Sequence, residues 1–211
     1  MYQLYYTPGA SSMAIHAVIN EIGAPVELHK IDLMAGEGQK PEFLKINPRG
    51  QVPVLVDGDQ VIREGAAIIQ YLVEKHSSPL LPKSGKERTA AIEWLMFANA
   101  SMHPAYGRVF FLMKNASDKA EQEKLIKTSI AGINKMWAEV DAELGKKTYI
   151  AGNNVTAGDI LLTVIAGWGA HFPQAVAPFG ANVKRLLKDI SARPAFQKAL
   201  QAEQVEYKAA A

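Results

Sequence analysis

Proline stands at the mouth of a short apolar run, Gln51-Val52-Pro53-Val54-Leu55, and this stretch constrains the fold more than any other. Inside a sheet a proline breaks the ladder, but at the first position of a strand its missing N–H lies outside the pairing. The run ends at Asp57-Gly58, a dipeptide suited to a two-residue hairpin, and Asp59, Gln60, Val61 and Ile62 follow. Val54–Val56 and Gln60–Ile62 are therefore expected to pair antiparallel. Only about 5% of X-Pro bonds in folded proteins are cis, so these residues alone favour a trans Val52–Pro53 bond. A cis bond would turn the main chain of Val52 outward, leaving its N–H and C=O free for an extended peptide-like ligand.

The flanking residues build a unit around this hairpin. Tyr2–Tyr6 is β-prone, Pro8-Gly9 breaks it, and Ser11 or Ser12 can cap a helix carrying Ile15, Val18, Ile19 and Ile22 as far as Gly23. Val26–Ile31 reads as a second strand, and two strands joined by a helix are expected to run parallel. A looser stretch with Gly36, Gly38 and Gln39 leads into a short helix at Pro41-Glu42-Phe43-Leu44 and covers one edge of any site. Glu64-Gly65 opens a helix with Ile68, Ile69, Leu72 and Val73, running to about His76.

At residues 78–86 the prolines, serines and glycine of a linker intervene, and no convincing strand follows. The expected organisation is 1–77 as an α/β domain of βαβ-ββα order, 78–86 as linker and 87–211 as an all-helical domain. Glu87 to about Lys114 should form one long helix bent near Pro104 and Gly107. Leu125, Ile126, Ile130, Ile133, Trp137, Val140 and Leu144 fall at three- and four-residue steps, predicting an amphipathic helix. Thr156 with Asp159 three residues on predicts a capping box. The helix it opens, running through Leu162, Ile165 and Trp168, is apolar on nearly all sides and should be the buried centre of the domain. Val183–Ile190 and Pro194–Leu200 complete that domain, and Val205–Ala211 reads as a frayed tail.

Composition narrows the function. Interspersed charges sum to +2 without a block of one sign, which argues against nucleic acid or a membrane surface as partner and favours a small molecule. The early apolar stretch is too short for a signal peptide, so a cytoplasmic protein is expected. Cysteine is absent, which excludes disulfides, thiolate metal sites and any mechanism needing a protein thiol. The five histidines show no ligand spacing, so no metal is expected. Gly85-Lys86 lacks the glycine pattern of a phosphate loop.

Four motifs in this order, Pro8-Gly9-Ala10-Ser11-Ser12, Asn47-Pro48-Arg49-Gly50-Gln51-Val52-Pro53, Glu64-Gly65-Ala66-Ala67-Ile68 and Thr156/Asp159, resemble the cytosolic glutathione transferases across nearly the whole chain. Within that family the sequence is most similar to the bacterial beta class, with Ser11 where that class has cysteine. The resemblance implies a thioredoxin-like first domain, a cis peptide before Pro53, glutathione as cosubstrate, an apolar electrophile as second substrate, a homodimer and a role in detoxification. Mixed disulfides with glutathione are closed to a hydroxyl. Ser11 can instead donate a hydrogen bond to the glutathione sulfur at a helix N-terminus. Tyr6 is the rival donor, since other classes use a tyrosine at the end of the first strand. Only one of Tyr5 and Tyr6 can point to the site, and Ser12 is the third candidate, assigned to capping.

By the same resemblance Val52 pairs with the cysteinyl backbone, Gln51 and Pro53 shape that segment, and Glu64 with the Gly65 N–H receives the γ-glutamyl end. Relatives often have serine where Gly65 stands. His103 matches a histidine near the sulfur in the beta class, and Ser101 is a further candidate contact. Met96, Ser101 and Ala35 occupy positions where asparagine, glutamate and lysine are usual, implying weaker glutathione affinity or compensation by Asn99, Gln39 or a second subunit. Met102, Tyr106, Phe110, Phe111 and Trp168 are candidates for an apolar cleft, although such residues at helical spacing also build cores. Three functions fit: thiol transfer to apolar electrophiles, glutathione-dependent reduction of peroxides or small disulfides, and catalysis-free binding of apolar ligands.

Overall fold

A computed structural model describes residues 1–173 and 176–210. Strand β1 (Tyr2–Tyr6) buries Tyr2, Leu4 and Tyr6 on one face, as period-two alternation requires. Helix α1 (Ser12–Ile22) follows and is closed by Gly23 in the left-handed region. β2 (Val26–Lys30) lies parallel to β1, and a single 3-10 turn (Glu37–Gln39) leads to α2 (Pro41–Ile46), which has proline in its first turn. β3 (Val54–Asp57) runs antiparallel to β1, and β4 (Gln60–Arg63) returns along β3 through Gly58 at φ +63°. The sheet order is β2-β1-β3-β4, and α3 (Gly65–Lys75) completes a thioredoxin-like unit. Its core is Ile15, Val18 and Ile19 of α1, Ile68, Ile69 and Leu72 of α3, and Leu4, Val54 and Leu55 of the sheet. The Val52–Pro53 bond is cis.

After residue 84 the chain is helical, with α4 (Gly85–Met96) beginning inside the stretch 78–86 expected as linker, then α5 (His103–Asn115), α6 (Lys119–Leu144), α7 (Ala157–Ala166), α8 (Ala181–Ser191) and α9 (Pro194–Glu203). Every residue of α7 is buried. Gly158 allows its close approach to α4, since a Cβ there would lie 3.3 Å from the Leu95 amide nitrogen. Thr156 N–H and Oγ1 both donate to Asp159 Oδ2 at 2.8 Å, and Asp159 Oδ1 accepts from the Ile150 N–H, closing the expected capping box.

Several expectations need correction. The long helix expected over 87–114 contains a π-helical turn at Phe97–Met102, ahead of Pro104 rather than at it. Proline lacks an N–H and its ring crowds the carbonyl four residues back, so the widened turn falls around Ala100. Leu125 was expected in the buried stripe of α6 but is exposed, leaving Ile126 and its partners at the core. α7 stops at Ala166, and Trp168 lies in a following 3-10 turn, Gly167–His171. Tyr207, expected in a frayed tail, donates its hydroxyl to the Thr163 carbonyl at 2.7 Å and packs its ring on Gly167.

The chain divides into two compact units, one of Met1–Lys83 with Ala192–Glu206, the other of Ser84–Ser191 with Tyr207–Ala211. α9, expected in the helical domain, thus belongs with the sheet, because it packs along α1. Arg193 pairs with Glu21 through two bonds of 2.6 and 2.8 Å, and Asn20 Nδ2 donates to the Ala195 carbonyl, fastening the start of α9.

Candidate active site

Sheet register brings three of the sequence motifs to one end of the first unit. Tyr5 lies opposite Val54, and Val54 opposite Arg63. One step beyond this row the chain reaches Tyr6 and the Thr7–Ser11 turn from β1, Val52 and Pro53 before β3, and Glu64 and Gly65 after β4. The N-termini of α1 and α3 therefore stand at the same sheet end, and each offers backbone N–H groups without intrahelical partners.

Two adjacent serines at the start of α1 have different occupations. Ser12 is fully buried, and its hydroxyl accepts from the Thr7 N–H at 3.3 Å and donates to the Thr7 carbonyl at 3.2 Å. It ties the turn together and does not cap the helix, contrary to expectation. Ser11 makes no capping bond either, and among the described residues its hydroxyl has no hydrogen-bond partner. Tyr6 lies on the buried face of β1, and its phenol is pushed above the usual range by burial and by the nearby Glu203 carboxylate. Tyr5, on the opposite face, stacks on His29 with ring centroids 4.8 Å apart and packs against Phe43.

The segment before β3 is stitched by side chains. Asn47, buried, donates to the Gln51 carbonyl at 2.7 Å and accepts from the Arg49 N–H, while the Gln51 side chain is exposed. Arg49 pairs with Glu64. The Asn47 motif and the start of α3 are thereby joined. Gly50, at φ +63°, is in close contact with Gly38 and Gln39, where a Cβ on either glycine would overlap the other's backbone. Among the described residues no backbone hydrogen bond outside helices and strands involves Val52. Glu64 holds φ +69°, a conformation costing a non-glycine residue of order 1–3 kcal/mol, directly before the Gly65 amide. Ala35 is exposed, its N–H bonded to Asp32.

In the helical unit His103 opens α5 directly after the π turn that carries Asn99 and Ser101. Its ring meets Trp168 edge-on at 4.9 Å, and burial pulls its pKa below the usual histidine value. Ser101 is exposed and Met96 half-buried. Of the apolar candidates, Met102 and Tyr106 are core: Tyr106 is fully buried and its hydroxyl accepts from Trp137 Nε1 at 2.8 Å. Phe110 packs on Trp168 and Phe172, whereas Phe111 points away and is exposed. Among the described residues no group of three His, Cys, Asp or Glu could hold a metal ion, and no helix is long and apolar enough to cross a membrane.

Sequence reasoning missed Glu203 and His16. Glu203 Oε1 lies 2.9 Å from His16 Nδ1, and Oε2 accepts from the Gly9 N–H at 3.0 Å; the Glu203 and His16 side chains are buried, and Gly9 is in the turn bearing Ser11. The two residues are 187 positions apart, and no local pattern links them.

A thioredoxin-like unit with two helix N-termini over an unpaired peptide segment, followed by helices, defines a class that comparison with known proteins identifies. Residues 1–74 match the family described as "Glutathione S-transferase, N-terminal domain" and residues 100–194 the corresponding C-terminal domain. The chain is 32% identical to Glutathione S-transferase 3 of Zea mays over 213 residues, covering 95% of this chain and 93% of that protein. A solved glutathione S-transferase from Xylella fastidiosa superposes with a TM-score of 0.90 at 26% identity, covering 98% of this chain and all of that one. The Phanerochaete chrysosporium glutathione transferase URE2P6, solved in complex with oxidized glutathione, gives 0.85 at 25% identity over 96% of each chain. This chain belongs to the glutathione S-transferase family.

Proposed function

We propose that this protein is a glutathione transferase of beta-class type in which Ser11 replaces the class cysteine and stabilises the thiolate of glutathione. The observation that carries this reading is the unpartnered Ser11 hydroxyl at the N-terminus of α1, beside a Ser12 hydroxyl already committed to Thr7. Lowering a thiol pKa from ~8.5 by two units requires about 2.7 kcal/mol. A helix end supplies about 0.3–1 kcal/mol and a hydrogen bond to a charged group about 1.5–3, so the two together suffice and the dipole alone does not. The main chain of Val52 receives the cysteinyl segment of the substrate. The Gly65 N–H and Glu64 receive its γ-glutamyl end, with Arg49 holding the Glu64 carboxylate. Pro53 and Gln51 complete the binding set on the sheet-bearing unit.

His103 stays neutral near pH 7 and serves as a proton acceptor on the helical unit, where Phe110, backed by the buried Trp168, offers apolar surface to an electrophile such as an activated aryl halide or an enone. The protein acts as a cytoplasmic homodimer. Incubation with glutathione and an aryl halide tests the reading. A thioether product, reduced at least tenfold in rate by Ser11→Ala, is expected. Oxidised glutathione formed from a hydroperoxide with no thioether from the halide would make it a reductase. Binding of apolar dyes with neither product would make it a binding protein.

A further inference from the structure

Glu203 is a carboxylate whose side chain is completely buried, and nothing in the thiol chemistry above uses it. It lies at the end of α9 in the first unit, where its two oxygens have separate tasks: Oε2 accepts from the Gly9 N–H at 3.0 Å and Oε1 faces His16 Nδ1 at 2.9 Å. Gly9 lies two residues before Ser11 and holds φ +69°; a Cβ there would lie 3.6 Å from Val205, so the chain just after α9 packs against the turn. His16 is on α1, five residues after Ser11. One side chain therefore grips the turn on one side of Ser11 and the helix on the other. Within the turn itself, Ala10 N–H closes on the Thr7 carbonyl at 3.0 Å.

We propose that Glu203 is a positioning residue for the Ser11 hydroxyl, acting through Gly9 and His16 rather than through its charge. This rests on the assignment of Ser11 to the thiolate. A hydrogen bond to sulfur has value only within a few tenths of an ångström of its best geometry, and a turn with a left-handed glycine needs an outside anchor to hold that geometry. The titratable groups facing the Glu203 carboxylate are His16 and Tyr6. His16 Nδ1 lies 2.9 Å from Oε1, and the Tyr6 phenol is pushed above its usual range by burial and, less, by the carboxylate.

Two substitutions separate reach from charge. Glu203→Gln keeps the length of the side chain, with an oxygen for Gly9 and an amide for His16. Glu203→Asp keeps the charge but is one methylene short of bridging both. With full-length protein, the thiolate absorbance of bound glutathione is titrated with pH, and exchange of the Gly9 amide is followed by NMR below the melting temperature of each variant. Glu203→Gln is expected to match the wild type in both. Glu203→Asp is expected to exchange Gly9 at least tenfold faster and to shift the thiolate titration upward by at least one pH unit. The proposal is overturned if Glu203→Asp titrates as the wild type does, or if Glu203→Gln loses the thiolate. Absence of thiolate in the wild type would remove the transferase reading itself. Gly9 exchange then decides alone: fast exchange in Glu203→Asp with slow exchange in Glu203→Gln upholds the anchor, and equal rates overturn it.

Discussion

Ser11 and Ser12 differ by one position and by what their hydroxyls have left to give. Replacing Ser11 by alanine should lower turnover by roughly 10- to 150-fold, the equivalent of a 1.5–3 kcal/mol hydrogen bond to a charged group, with little loss of stability. Ser12→Ala should do the reverse, lowering stability by about 1–3 kcal/mol through the stranded Thr7 N–H while retaining most activity at a temperature where the protein is folded. Urea unfolding and initial rates on the two variants check both statements. His103 adds a pH dependence. Its folded pKa is lowered by burial, so the unfolded chain takes up a proton near pH 6.5 that the folded protein refuses. Stability is therefore full above that pH and falls as pH drops through the window below it. The wild type should lose more stability between pH 7.5 and 5.5 than His103→Phe, and equal losses would contradict the assignment. The motif pointed to both serines, but their opposite roles depend on the backbone of Thr7, which no spacing encodes.

At the scale of elements, local chemistry was most legible where a few adjacent residues decide the outcome. Pro53, Asp57-Gly58 and the Thr156/Asp159 pair placed β3, the hairpin and the start of α7 because each acts through its own immediate backbone. Asp159→Ala should cost about 3 kcal/mol or more, since it strands the Ile150 N–H, the Thr156 N–H and the Thr156 hydroxyl in a buried setting. Thermal or urea denaturation measures it, and a loss under about 1 kcal/mol would contradict the capping account. The π turn was legible only as a disturbance near Pro104; its position one turn earlier follows from where the ring crowds the helix. Leu125 misled because helical spacing gives a face, not the width of what covers it.

For the whole molecule, the informative departure is α9. Its helical pattern was readable, but nothing in it says which unit it packs on, since that choice rests on Glu21, Asn20, His16 and Gly9, more than 170 residues upstream. The sheet-bearing unit is thus completed by the far end of the chain. Truncation after Ser191 should leave α1 exposed along one side, with much faster amide exchange in α1 than in β3, whereas unchanged protection of α1 would contradict that dependence. The same truncation removes Glu203, so glutathione binding should weaken with it.

The central claim is that Ser11 holds the sulfur of glutathione as a thiolate. Titrating thiolate absorbance against pH, with the protein saturated by glutathione, tests it in wild type and in Ser11→Ala. The account predicts thiolate at or below neutral pH in the wild type and a return toward the free-thiol value of ~8.5 in the variant. Equal titration of the two proteins would move the role to Tyr6 or His103, and no thiolate in the wild type would contradict the account outright.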